Sequence, residues 1–154
     1  MLRNIALLGF GFLFVIGDFL ALAAEPDAVA LEQKRLQGTW EGFAVENEGE
    51  RPDRGPVHLR LVIADGKISA VDLGSPEKDK AMGNGTYKLD LAHEVKQIDA
   101  TGIVLPGKRE KTYLGIYAVE GDTLKWCVDN RAKERPTVFR TTGGKYLLIL
   151  KRQK

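Results

Sequence analysis

Residues 111–129 constrain this chain more than any other stretch. Two runs rich in β-branched and aromatic residues, 111–120 and 123–129, flank Gly121 and Asp122. A two-residue loop containing glycine between such runs is a hairpin signal, because only a residue tolerant of positive φ lets the turn follow the twist of the strands. With Glu120 opposite Thr123, Val119 faces Leu124, Tyr117 faces Trp126 and Gly115 faces Val128, all on one side of the ribbon. An aromatic ribbon face needs a core to cover it, so the sequence predicts a small all-β domain.

The chain has 154 residues, enough for one domain with a real core and too few for two comfortable ones. Its formal net charge of +2 gives no argument for nucleic acid or a strongly anionic partner. The lone Cys127 excludes an internal disulfide framework and leaves no cysteine cluster for a metal. The basic runs 108–111 and 151–154 are short and interrupted, which fits a solvated turn and a solvated tail.

Residues 1–24 read as an export signal. Arg3 supplies the positive end, residues 5–16 are almost wholly apolar, and Ala21, Leu22 and Ala23 give a small-x-small cleavage pattern. The rival reading is a retained anchor, but Asp18 interrupts a run that would need about 20 apolar residues to span a bilayer. Cleavage is favoured. The mature domain then covers 25–154, is periplasmic or secreted, and has no membrane contact.

Residues 26–37 carry Asp27 near the start and apolar Val29, Leu31 and Leu36 at spacings suited to a short helix, which Gly38 ends. From Trp40 onward the pattern is strand after strand, with no second helical period. Strands are expected over 39–45, 57–64, 67–73, 86–91, 96–103, 111–120, 123–129, 137–141 and 145–152. Asp65 and Gly66 turn the second into the third, so that Leu59, Leu61 and Ile63 share a face with Ile68 and Ala70, while His58, Arg60, Lys67 and Ser69 point away. Segments 46–56 and 75–82 read as charged loops, 106–110 as a basic turn, and Gly83, Asn84 and Gly85 as a turn. Gly143 and Gly144 suggest a last tight turn, which would set Phe139 beside Leu148 and Thr141 beside Tyr146. Strands of this number and spacing predict an antiparallel meander closed into a barrel of about eight strands, with a sandwich as the alternative. Closure removes exposed strand edges.

The segments 36–40, 85–90, 98–99, 111–117, 121–125 with Cys127, 135–137 with Phe139, and 148–152 together resemble a family of small uncharacterised exported domains found mainly in planctomycete bacteria. The resemblance spans nearly the whole mature chain and implies no activity or site residues. A second likeness is to the lipocalins, in which a short helix leads into Gly-x-Trp at the start of the first strand. Gly38, Thr39 and Trp40 fit that pattern, whereas the lipocalin Thr-Asp-Tyr motif has no evident counterpart. That likeness implies that Trp40 packs at a closed barrel end beneath a late basic residue, Lys151 or Arg152, through cation–π stacking and aliphatic cover.

Catalytic and metal patterns are sparse. His58 falls on an outward strand face and His93 in a polar bend, and neither has a second ligand at metal spacing. Both read as solvated surface histidines. No serine sits in a nucleophile elbow, and no glycine loop precedes a helix to cradle phosphate. Cys127, beside Ile116 and on the face opposite Trp126, reads as a packed thiol. Asp90 with Asp99, or His93 with Asp90 and Glu94, are the weakest candidates for acid–base work. The sequence therefore predicts a non-enzymatic protein without cofactor or metal.

One constellation carries more. If the hairpin face lines the barrel, Tyr113, Tyr117, Trp126, Phe139 and Tyr146 point inward, and an aromatic wall with a few hydroxyls is what a small-molecule pocket needs. The alternative is that these side chains fill the interior, since eight-stranded barrels are often just wide enough for their own side chains. The expectation is an exported domain that binds a small, partly apolar or amphipathic molecule. The second reading is an envelope interaction or structural module acting through loops 46–56 and 75–82.

Overall fold

The computed structural model describes residues 26–45, 55, 57–77, 79–102, 111–129 and 133–154. The expected export signal at 1–24 and basic turn at 106–110 lie outside them, as does all of loop 46–56 except Gly55.

The chain opens with helix α1, Pro26–Leu36. Proline suits the first helical turn, Asp27 lies at the positive end of the helix dipole, and Lys34 and Arg35 lie at the negative end. Eight strands follow: β1 Gly38–Val45, β2 Val57–Ala64, β3 Lys67–Asp72, β4 Lys80–Asp90, β5 Gln97–Thr101, β6 Thr112–Glu120, β7 Thr123–Asp129 and β8 Lys145–Arg152. Each pairs antiparallel with the next and β8 pairs with β1, so the sheet is a closed meander barrel. No helix among the described residues is long and apolar enough to cross a membrane.

The short turns set the register. Asp65 and Gly66 both have positive φ, 50° and 74°, the sign pattern of the hairpin turn whose twist matches its strands. Ile63 consequently faces Ile68, and Leu61 faces Ala70. The β6–β7 ribbon pairs Glu120 with Thr123, Tyr117 with Trp126 and Gly115 with Val128, as the sequence predicts. Period-two alternation then sends Leu59, Leu61, Ile63, Tyr117, Leu124 and Trp126 into one continuous interior.

Two expectations are corrected. Strand β4 begins at Lys80 rather than at residue 86, and runs through Gly83, Asn84 and Gly85 instead of turning there. The free edge of β3 needs a partner along its length, and a register shift between Ala70 and Val71 absorbs the irregularity. Residues 137–141 form no strand and do not pair with β8. Both edges of β8 are already taken, by β7 and by β1. The segment lies instead against the outside of the wall. Asp129 begins the turn by accepting the backbone N–H groups of Lys133 and Glu134 at 3.2 and 3.1 Å, and Arg135 then anchors the segment to Asp99 at 2.6 Å.

The two barrel ends differ. Asp65–Gly66, Gly121–Asp122 and the connection 91–96 lie at the end that α1 covers. The four long connections, 46–56, 73–79, 102–111 and 130–144, all leave from the opposite end, which is the mouth.

Candidate functional site

The closed end is built around Trp40. Its ring is fully buried, its Nε1 donates to the Leu36 carbonyl at 2.8 Å, and the Arg152 guanidinium lies 4.0 Å above the ring centroid. Arg152 also donates to the carbonyls of Gln37 and Arg35, each at 2.6 Å, so one side chain from the last strand satisfies two carbonyls at the C-terminal end of α1. Gly38 directs the chain from helix to barrel beside that guanidinium. All three residues singled out at this end, Gly38, Trp40 and Arg152, therefore meet there.

The helix is fastened to the barrel by Glu32, which sequence reasoning missed. Its buried carboxylate pairs with Lys96 at 2.9 Å and with Arg35 at 3.3 Å. Glu32 stands one helical turn before Leu36, so both occupy the face turned to the barrel. That spacing was the available signal.

Of the five aromatic residues expected inside, Tyr113, Tyr117, Trp126 and Tyr146 belong to the interior cluster. Phe139 does not. It packs on the outer wall with Val45, Ile116, Cys127, Leu147 and Ile149, because its segment cannot enter a sheet that has already closed. Cys127 is packed in that same outer cluster, with its thiol directed to the Arg140 carbonyl at 3.4 Å. Tyr87, which sequence reasoning also missed, is interior, although the alternation Gly85, Tyr87, Leu89 carried the signal.

Three interior side chains carry buried polar tips: the Tyr87 hydroxyl and the Trp126 Nε1 have no hydrogen-bond partner, while the Tyr117 hydroxyl stands beside the Glu32 carboxylate. Their exposures are 5, 4 and 1%, so all three are shut from solvent. Burial holds the Tyr117 hydroxyl well above the ordinary tyrosine range, and the nearby Glu32 carboxylate adds to it. Burial also raises Tyr87, with a smaller contribution from Asp65. Both phenols are neutral at physiological pH.

Trp40, Ile63, Ile68, Tyr117, Leu124 and Leu150 are almost fully buried, which makes the helix-covered half a packed core. Half-buried interior residues stand at both ends, Val57, Ala70, Met82, Tyr113 and Tyr146 towards the mouth and Leu89, Leu91 and Val119 at the helix-covered end. Trp126 stands between the two zones. Its indole crosses the inner face of Gly115, where an added Cβ would lie 2.3 Å from Nε1.

The polar candidates do not gather. His93 pairs with Asp90 at 3.2 Å, both more than half exposed, in the connection at the helix end. Asp99 pairs with Arg135 on the outer wall instead of with Asp90. His58 is half-buried and stacks on Phe43, with ring centroids 4.6 Å apart, so it is a packed outer residue and not simply a solvated one. Among the described residues no group of three or more His, Cys, Asp or Glu side chains is arranged to hold a metal ion.

The fold and its interior define a closed, eight-stranded antiparallel barrel with an interior rich in aromatic side chains. Comparison with family models, with curated proteins and with solved structures gave no match for this chain.

Proposed function

We propose that the protein is an exported, non-enzymatic barrel that holds a small, partly apolar molecule in the mouthward half of its lumen. The observation that carries this reading is the buried, unpartnered Nε1 of Trp126, which stands between the helix-covered and mouthward halves. A buried donor left unpaired costs about 1–3 kcal/mol, so the interior gains from a molecule that brings a matching acceptor. The half-buried ring of Tyr113, Tyr146, Met82 and Val57 supplies an apolar approach to that zone. Export rests on the charged, apolar and small-residue pattern of residues 1–24. The resemblance to the exported planctomycete domains is part of the same reading.

A second reading is favoured by the packing at the helix-covered half, where Tyr117, Ile63, Ile68, Leu124 and Leu150 leave almost no exposed surface. A barrel filled throughout would act through its outer loops as an envelope interaction or structural module. Native mass spectrometry of the protein purified from its own host's envelope separates the two. A small molecule retained at one per chain and released on denaturation supports the binding barrel. A clean apoprotein mass under gentle conditions overturns it in favour of the module.

A further inference from the structure

If the barrel binds a small molecule, as proposed above, the lining of its lumen narrows the chemistry of that occupant. Inward positions between Trp126 and the rim, among them Ala44, Leu59, Ala70, Ala100, Val128 and Leu148, carry no charge, and the charged residue on their face is half-buried Asp72 at the rim, opposite Leu59. A carboxylate or ammonium drawn past the rim as far as Trp126 would lose its water with no counter-ion beside it, and a carboxylate would in addition have to pass Asp72. The one polar group at the floor of this zone that has no partner and can only donate is the Trp126 indole N–H. Nearer the mouth stand Tyr146, one inward step beyond Leu148, and Tyr113, one inward step beyond Gly115, both half-buried.

We infer that the occupant is an uncharged apolar molecule carrying a hydrogen-bond acceptor, such as a ketone, ester or ether oxygen, at its inner end, and that Trp126 Nε1 reads that acceptor. Trp126 is then the specificity-determining residue. Gly115 makes the reading possible, because only a residue without a side chain leaves the indole its place across β6. The tyrosine pair at the mouth gives the apolar body flat surfaces to lie on.

Three near-isosteric probes test this: 2-acetylnaphthalene, which is neutral with an acceptor; 2-ethylnaphthalene, which is neutral without one; and 2-naphthoate, which is charged. Affinities are measured by calorimetry. The two indole N–H signals of the 15N-labelled protein, from Trp40 and Trp126, report which donor is engaged. The ketone is expected to bind about three- to tenfold more tightly than the ethyl compound, the range of one net hydrogen bond. The carboxylate should be at least about tenfold weaker than the ketone. The Trp126 N–H signal should move on ketone binding, while that of Trp40, already engaged with Leu36, stays put. In Trp126→Phe the preference of ketone over ethyl compound should vanish, and the unmoved Trp40 signal shows that the variant is folded. Naphthoate binding as tightly as the ketone, or a preference that survives in Trp126→Phe, overturns this inference and leaves the binding barrel standing. If no probe binds and the host-derived protein is a clean apoprotein, both fail together.

Discussion

Arg152 lies over the ring of Trp40 at 4.0 Å and at the same time holds the carbonyls of Arg35 and Gln37, so the last strand clamps both the plug of the barrel and the end of its helix. The two residues pair across β1 and β8, the seam at which the barrel closes. Helix docking and the β1–β8 seam therefore meet in one contact, beside the Glu32–Lys96 pair that also fastens the helix. Trp40→Ala removes a fully buried indole and is expected to cost about 3–5 kcal/mol. Arg152→Met keeps part of the aliphatic cover and loses the charge and both donors, for an expected cost of about 1–3 kcal/mol. Because the two residues touch, the double variant should fall short of the sum. Urea melts of the four proteins measure the coupling, and strict additivity would show that Arg152 serves the helix alone.

Gly115 and Trp126 form a second such pair, inside the wall. A methyl group at residue 115 would lie 2.3 Å from Trp126 Nε1 and 3.0 Å from the Cys127 carbonyl. Gly115→Ala is therefore expected to cost about 1–3 kcal/mol, the range of overpacked cores. In a Trp126→Leu background the branched side chain leaves the space free, and the same substitution should cost less than half as much. An unchanged cost in that background would assign the strain to the β7 backbone instead.

Much of this was legible in the sequence, and for a physical reason. Two-residue turns pin register, so Asp65–Gly66 and Gly121–Asp122 determine which side chains of four strands point inward. The Trp40–Arg152 contact came from a resemblance, which pointed to Lys151 or Arg152 and not to the two helix carbonyls that Arg152 also holds. The outer segment 133–141 could not be read in the same way. Thr137, Val138 and Phe139 have the composition of a strand, yet whether a strand can pair depends on how many free edges the sheet still offers. That number is a property of closure and not of any local window. Tyr87 was hidden by its neighbours, because Gly83 and Gly85 signal a turn where the sheet requires continuous pairing. Glu32 escaped notice because its burial depends on Lys96, a partner distant in the chain.

The outer segment also makes a prediction about Cys127. The thiol is fully buried beneath residues that Arg135 holds in place through Asp99 at 2.6 Å and the Gly115 carbonyl at 2.8 Å. Native protein should react with an aromatic disulfide reagent only through opening of this segment. Arg135→Gln weakens a charge-assisted anchor worth about 1–3 kcal/mol, so Cys127 should react about five- to a hundredfold faster. The global denaturation midpoint should move by less than the local change implies. A rate equal to that of the native protein would mean that Asp129 and Phe139 hold the segment without Arg135.

The two buried phenols give the molecule an alkaline limit. Tyr87 and Tyr117 both hold their protons above the ordinary tyrosine range, chiefly through burial, with Asp65 adding at the first and Glu32 at the second. In the unfolded chain they ionise near pH 10. Above that pH the folded state binds more protons than the unfolded one, so the contribution of these groups is complete below about pH 10 and is lost as the pH rises from there towards their folded values. Each raised phenol can steepen the loss by up to about 1.4 kcal/mol per pH unit. Denaturant melts between about pH 8 and 11.5 should show a plateau in this contribution and then a fall. Tyr117→Phe removes one ionisable group and keeps the ring, so its stability should decline less steeply across the same interval. Equal slopes for the two proteins would mean that Tyr117 ionises in the fold without penalty, contrary to its burial beside Glu32.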